Sequence, residues 1–201
     1  MRSGTPALLC LLACPLAAGP ARSKEKPPLV YKIPSPAKPN FSALAWLLGE
    51  WSGKIGSKEP LGEVHFSASY DLENRFMILR EELWLQNTKN APASRESWMG
   101  VLSPRPDGKS WFLRVYSNYG FITTYQVTAD GAGIHFNFVG GEDPPEGWLF
   151  RRVIARMSET EFTETVQVAP PDRPFFDYYS AKLTRGTASP PLPVTSSANK
   201  H

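Results

Sequence analysis

The period of the apolar residues changes once along the chain. A short apolar run occupies residues 41–48, with Asn40 before it as a helix N-cap and Gly49 after it as a helix terminator. From Gly49 onward, apolar and polar residues follow a period of two, which is typical of β-strands. We therefore expect a short N-terminal helix and then about ten strands, over residues 49–56, 62–72, 75–85, 95–103, 110–118, 120–128, 133–139, 148–157, 161–169 and 175–184.

The links between these segments are short. Most contain turn residues, and none holds a helical stretch long enough to join parallel strands. Neighbours in sequence should therefore be antiparallel neighbours in space. Closing such a meander removes both of its unpaired edges. The pattern predicts an all-β fold, an antiparallel up-and-down β-barrel over residues 41–185, and two packed sheets with Greek-key crossovers are the alternative.

The two ends of the chain differ from its middle in composition. Residues 1–21 combine Arg2, an apolar core over residues 7–18 and a small-residue cleavage site, which is the pattern of a signal peptide. That core is too short for a transmembrane helix, which needs about 20 apolar residues. We expect a chain exported to the periplasm or secreted, with a proline-rich tether over residues 22–40 and a disordered Ser/Pro-rich tail over residues 186–201.

Both cysteines of the chain, Cys10 and Cys14, lie in the predicted signal peptide. Its removal would leave no disulfide, no cysteine metal ligand and no thiol nucleophile. Residues 11–14 also resemble a bacterial lipoprotein signal, so a lipid anchor on Cys14 is an alternative to release. The formal charge is +3, or +2 after removal of residues 1–21, because Arg2 is their one charged residue. The sequence contains no cluster of Lys and Arg residues of the kind that indicates a nucleic-acid interface.

Motifs for catalysis and for metal binding are absent from the sequence. The chain has three histidines, no Gly-x-Ser-x-Gly motif and no His-x-x-x-His spacing. Glu81 and Glu82 are adjacent, so on a strand they face opposite sides and cannot form an acid/base pair. We therefore expect no catalytic residue and no metal site, and we favour binding over enzymatic activity.

A barrel of this size can enclose a cavity for a small molecule. Arginines that share a strand face with aromatic residues would contact a carboxylate or phosphate head group there, while the rings would hold an apolar body. The opposite possibility is that these arginines lie outside, paired with glutamates of neighbouring strands. The candidate contacts are Arg80, Arg114 and Arg152 for the head group, and Trp84, Trp98, Tyr116 and Trp148 for the lining.

Several predicted strands carry apolar residues on both faces. In the segment 75–85, Met77 and Leu79 share one face, whereas Phe76 and Ile78 share the other. In a barrel wall with one buried face, apolar and polar residues should alternate more regularly along each strand. A covering layer or a homodimer contact would explain the second apolar face. A protein-interaction module of the cell envelope, without a ligand, is therefore the alternative function.

Four segments carry a resemblance to known proteins: LLGEWSG at residues 47–53, NRFMILREE at 74–82, SWMGVLSPRPDGKSW at 97–111 and YYSAKLTR at 178–185. With a Gly-x-Trp start before an antiparallel meander, the chain resembles the calycin superfamily of lipocalins and fatty-acid-binding proteins. More narrowly, it resembles a bacterial family of lipocalin-like domains of unknown function. The resemblance implies a carrier or sensor of an amphipathic or apolar ligand. It also implies that the Trp51 ring plugs one end of the barrel and that Arg185 covers this ring.

The Gly-x-Trp start and the number of strands also resemble the nitrobindin-like barrels, which bind haem through a histidine near the end of the chain. The predicted last strand here has no histidine, and His201 falls in the predicted tail. His65 and His135, both in the middle of predicted strands, are the remaining candidates. A haem protein is therefore the third alternative, and no other cofactor is expected.

Overall fold

The computed structural model describes residues 31, 34–56, 61–87 and 92–186. The predicted signal peptide, most of the tether and the tail after residue 186 lie outside the described residues, so these stay predictions. Residues 31 and 34–36 belong to a second compact unit and contain no helix or strand. Among the described residues, no helix has the length and apolar character needed to span a lipid bilayer.

Within the described residues, ten β-strands form one closed barrel. Each strand pairs antiparallel with its neighbours in sequence, and β1 also pairs with β10. The predicted all-β, closed, up-and-down barrel is therefore confirmed, and the Greek-key alternative is wrong. The strands are β1 Gly49–Ile55, β2 Gly62–Asp71, β3 Phe76–Leu85, β4 Ser94–Pro104, β5 Trp111–Ser117, β6 Ile122–Ala129, β7 Ile134–Glu142, β8 Leu149–Arg156, β9 Glu161–Ala169 and β10 Phe176–Arg185.

Closure of the barrel depends on the pairing of β1 with β10. Residues 51–55 of β1 run antiparallel to residues 181–185 of β10. Gly53 occupies the middle of this pairing, and a Cβ atom on it would lie 2.2 Å from the Lys182 carbonyl oxygen. The two strands therefore approach each other here at a separation that any larger residue would increase.

The predicted N-terminal helix is a 3₁₀-helix, Ser42–Leu47, rather than an α-helix. The N–H of Leu48 donates to the Ala45 carbonyl at 3.2 Å, which is the three-residue spacing of a 3₁₀ turn. Six residues are too few to offset the cost of nucleating an α-helix in isolation. The tighter turn also places Leu44 and Leu47, three residues apart, on the same side, and both are buried.

Alternation along each strand decides which side chains point into the barrel. The inward positions of β3 are almost fully buried, and they are Met77, Leu79, Glu81 and Leu83. The outer face of neighbouring strands keeps large apolar side chains partly exposed: Trp84, Phe112 and Tyr116 are each 36–39% exposed. No helix among the described residues covers this outer face.

Trp51 fills one end of the barrel. Its side chain is buried, and its indole Nε1 donates a hydrogen bond of 2.7 Å to the carbonyl oxygen of Leu47, at the end of the 3₁₀-helix. The guanidinium of Arg185 lies over the ring, with Cζ 4.2 Å from the ring centroid. Arg185 also donates to the carbonyl oxygens of Leu48 at 2.6 Å and Trp46 at 2.8 Å. The end of β10 is thereby tied to the 3₁₀-helix across the indole.

We expect Arg185→Lys to lower the free energy of unfolding by about 1–3 kcal/mol, because an ammonium group cannot form both carbonyl hydrogen bonds while it covers the ring. Urea denaturation measures this change. Arg80→Lys, on the exposed outer face of β3, is the matched control and should change stability by less than about 0.5 kcal/mol. Equal losses in the two variants would contradict the role of Arg185 at the barrel end.

Candidate ligand-binding cavity

A cavity of about 480 Å³ opens at the end of the barrel opposite Trp51. Its walls include the β5–β6 and β7–β8 connections and the start of β10, whereas Trp51 pairs with the last residue of β10. Small-molecule sites typically occupy about 300–1,000 Å³. Within the described residues, nine aromatic side chains line the cavity: Trp98, Tyr119, Phe121, Tyr125, Phe136, Trp148, Phe150, Tyr178 and Tyr179.

A layer of aromatic rings separates the cavity from the Trp51 end. The ring centroids of Trp51 and Phe162 lie 4.8 Å apart, and those of Phe162 and Phe66 lie 5.8 Å apart. Phe66 in turn packs against Trp98 at 6.4 Å. These contacts are edge-to-face, the geometry that aromatic pairs prefer. Because Trp98 also lines the cavity, the cavity floor rests directly on the packing of the closed end.

Polar side chains from separate strands meet at the floor of the cavity. Glu81 of β3 accepts hydrogen bonds at Oε1 from the Trp98 indole at 2.9 Å and from the Tyr179 hydroxyl at 2.7 Å. Arg152 of β8 adds two hydrogen bonds to the same carboxylate, at 3.1 and 3.2 Å. The guanidinium also lies over the Trp98 ring, with Cζ 4.5 Å from the centroid. Both oxygens of the buried Glu81 therefore accept hydrogen bonds.

A second buried carboxyl group, Glu164 of β9, lies beside this cluster. Its Oε1 is 2.9 Å from Arg152 Nη1, although no described side chain is aligned to give either oxygen a hydrogen bond. Burial raises the pKa of Glu164 well above its usual value, a change that the charge of Arg152 opposes and the charge of Glu81 reinforces. A protonated Glu164 leaves the cluster neutral, since Arg152 and Glu81 then balance each other.

The same charges act on the other two polar groups of the floor. Burial by itself would lower the pKa of Arg152, but the charges of Glu164, whenever it is ionised, and of Glu81 raise this pKa above its ordinary value, so the guanidinium stays charged. Burial raises the pKa of Tyr179 well above its ordinary value, against the opposing charge of Arg152. The Tyr179 hydroxyl therefore stays protonated and acts as a donor to Glu81.

The mouth of the cavity carries a further carboxylate, Glu96. It precedes Trp98 by two residues on β4, and it accepts a hydrogen bond from the Tyr178 hydroxyl. Burial raises the pKa of the Tyr178 and Tyr119 hydroxyls, and the neighbouring Glu96 raises both further. Two phenol rings thus flank one carboxylate at the entrance.

The predicted ligand contacts fall into two groups. Those that line the cavity are Trp98, Trp148 and Arg152. Those on the outer face, away from the cavity, are Arg80, Trp84, Arg114 and Tyr116. Alternation is the reason, because each member of the second group is adjacent in sequence to an inward residue, either Glu81, Leu83 or Val115. Arg114 pairs instead with Glu142 across the outer face.

Arg152 lies in the cavity floor, but it is not an open anion site. Its guanidinium faces Glu81 and Glu164, so a ligand carboxylate would compete with two protein carboxyl groups for it. Glu164 is not among the predicted site residues, although the period-two pattern from Phe162 to Val166 could have placed it inward. No spacing could have shown that β3, β8 and β9 bring Glu81, Arg152 and Glu164 together.

The candidate haem ligands lie away from the cavity. His65 is on the exposed face of β2, where its ring packs edge-on against Trp84 with centroids 4.9 Å apart. His135 places Nε2 at 3.4 Å from a carboxylate oxygen of Asp130, near the other end of the barrel. In the part of the chain that the structure describes, no group of three or more His, Cys, Asp or Glu residues could hold a metal ion.

Comparison with known proteins bears on the fold alone. No family model and no curated protein matches the sequence. Among solved structures, the crystal structure of Rv2717c from M. tuberculosis is similar, with a TM-score of 0.53 and 19% sequence identity over 72% of this chain and 95% of that chain. At this level of identity, the likeness shows a shared barrel fold.

We expect Glu81→Gln to destabilise the protein by about 1–3 kcal/mol at neutral pH, because it weakens the hydrogen bonds from Trp98, Tyr179 and Arg152 and leaves Glu164 alone to balance the buried Arg152. Glu164→Gln should cost far less, because a protonated Glu164 is already neutral and an amide has nearly the same shape. Urea denaturation of both variants and the wild type measures the difference. A larger loss in Glu164→Gln than in Glu81→Gln would contradict this assignment of charge.

We also expect the stability of the wild type, relative to Glu164→Gln, to fall as the pH rises. The unfolded glutamate has a pKa of about 4.3 and the folded group a higher one, so the folded state holds the extra proton between these values. The contribution of Glu164 is therefore fully present below the unfolded pKa and is lost as the pH rises through the folded pKa. Parallel stability curves for the two proteins from about pH 4 to 8 would contradict the raised pKa.

Proposed function

We propose that the protein is a non-covalent carrier or sensor of a small apolar or amphipathic molecule, which binds inside the barrel. The observation that supports this function is the cavity, with its volume of about 480 Å³, its aromatic walls and its opening at one end. A site of this size and lining matches the usual composition of small-molecule pockets.

The hydrogen bonds of the cavity floor favour ligand binding over catalysis. The carboxylate that lines the floor is already engaged, since Glu81 accepts from Trp98, Tyr179 and Arg152, and Glu164 beside it does not line the cavity. A general base needs a free lone pair within hydrogen-bond reach of the substrate. The floor therefore serves to hold the barrel interior together under a bound molecule.

Membership of the calycin superfamily is part of the proposal. It is supported by the closed antiparallel barrel, by the Gly-x-Trp start of β1 and by the position of Arg185 over the Trp51 ring. The signal-peptide pattern of residues 1–21 supports export, so we propose a periplasmic or secreted carrier. A lipid anchor on Cys14 is the alternative form of export.

We expect the purified protein to bind the neutral fluorescent probe N-phenyl-1-naphthylamine in the cavity. Val166→Trp places a large ring inside the cavity and should weaken probe binding by at least about tenfold. The matched control is Val139→Trp on the exposed surface, where the affinity should not change. Thermal unfolding of both variants checks that they are folded. Equal affinity in the two variants, or no uptake by the folded wild type, would contradict the carrier function.

The outer face of β3 to β5 favours a second candidate function, a protein-interaction module. Trp84, Phe112 and Tyr116 expose apolar surface there without a covering helix among the described residues. Under this function we expect a concentration-dependent dimer in sedimentation velocity. Trp84→Glu should abolish that dimer, whereas Leu149→Glu, at an exposed site on β8, should not. A monomer at all concentrations would exclude self-association as the role of this face.

A further inference from the structure

We infer that the cavity selects an organic cation, with its positive group at the mouth beside Glu96 and a planar apolar body among the aromatic rings of the interior. This inference rests on the proposed function, because it names the chemical class of the molecule that the cavity would hold. It differs from the head-group role expected for the arginines, which called for an anion.

The charges that line the cavity do not balance. In the described part of the chain they are Glu81, Glu96 and Arg152, two carboxylates against one guanidinium. Arg152 is bound to Glu81 in the floor, so the uncompensated negative charge belongs to Glu96 at the mouth. Ionisation of Glu164 behind the floor would make the surroundings more negative still. The lining therefore favours a positive ligand whichever state Glu164 adopts.

Aromatic rings surround this unbalanced carboxylate. Tyr178 donates its hydroxyl to Glu96, and the exposed ring of Tyr119 lies close to the same carboxylate. Both rings line the cavity beside this carboxylate, and Tyr119 is 59% exposed, so a ligand at the mouth can contact them. Aromatic faces combined with a carboxylate form the arrangement that recognises ammonium groups, by attraction to the negative face of the ring.

The interior behind the mouth suits a flat body. The rings of Tyr119 and Phe121 are nearly parallel, with centroids 6.1 Å apart and an angle of 8° between planes. Phe121 and Phe150 continue the series at 6.3 Å and 25°. These three rings line the cavity, so a planar hydrocarbon placed there would contact aromatic carbon.

The connection from β7 to β8 adds negative charge near the entrance. Pro145 and Trp148 of this connection line the cavity, and Asp143 and Glu146 beside them are exposed. Residues 143–148 contain no basic residue. Fixed charges of one sign around a cleft raise the local concentration of oppositely charged molecules. An anionic ligand would meet repulsion both here and at Glu96.

Three probes with one ring system test this selection directly: the cation 1-naphthylmethyl-trimethylammonium, the neutral alcohol 1-naphthylmethanol and the carboxylate anion 1-naphthaleneacetate. Isothermal titration of the wild-type protein should give an affinity for the cation at least about tenfold higher than for the neutral alcohol, with the anion weakest. The three share the apolar body, so the difference reports the head group, and the Glu96 variant then isolates the contribution of charge.

Glu96→Gln should lower the affinity for the cation by about tenfold and leave the affinity for the alcohol unchanged. Glu63→Gln removes an exposed carboxylate from the outer face of β2 and should change neither affinity. If Glu96→Gln does not fold, Tyr119→Leu takes its place, with Tyr116→Leu on the outer face as its control. Only the first member of that pair should weaken binding of the cation.

The outcomes separate the two proposals. Equal or tighter binding of the alcohol or the acetate would overturn the selection of a cation and leave the carrier function intact. The selection of a cation is also overturned if Glu96→Gln, or Tyr119→Leu in its place, binds the cation as tightly as the wild type. If none of the three probes binds to the folded protein, the carrier function and the cation selection both fail.

Discussion

The pairing of β1 with β10 is the constraint on which the rest of the structure depends. Without it, the ten-strand meander would be an open sheet with two bare edges and no enclosed space. Gly53 allows the two strands to meet closely, and the Trp51 ring fills the end that the pairing creates. Arg185, at the end of β10, then fastens the 3₁₀-helix over that ring. The same ends of β1 and β10 therefore both close the barrel and seal its end.

The interior of the barrel is divided by its aromatic packing. Below Trp98, aromatic rings fill the space as far as Trp51, whereas above it the space is open and forms the cavity. The charged cluster of Glu81, Arg152 and Glu164 lies at this boundary, where isolated charges would be costly. It persists because the charges neutralise one another. That same balance leaves the floor without a free charge and makes Glu96 the electrostatic feature that a ligand would meet.

The sequence of a strand with two apolar faces does not show which face is buried. In β3 the outer positions are nearly as apolar as the inner ones, so the sequence of that strand does not say which set is buried. The charged residues give a counterintuitive answer, since Glu81 points inward and Arg80 outward. Glu81 tolerates burial only because Trp98, Tyr179 and Arg152 come from three other strands to bind it.

The period-two pattern and the short links determined the strands and their antiparallel order, because these features depend on neighbours in sequence. They favoured the closed barrel without fixing it, since closure requires the first and last strands to pair. The family resemblance of the sequence indicated the closing residues, since it implied that Arg185 at the end of the last strand covers the Trp51 ring of the first. Only the tertiary structure decided which faces point inward and which distant carboxyl groups share Arg152. Those choices depend on long-range register and on mutual neutralisation of buried charges, and neither is encoded in any single stretch of the chain.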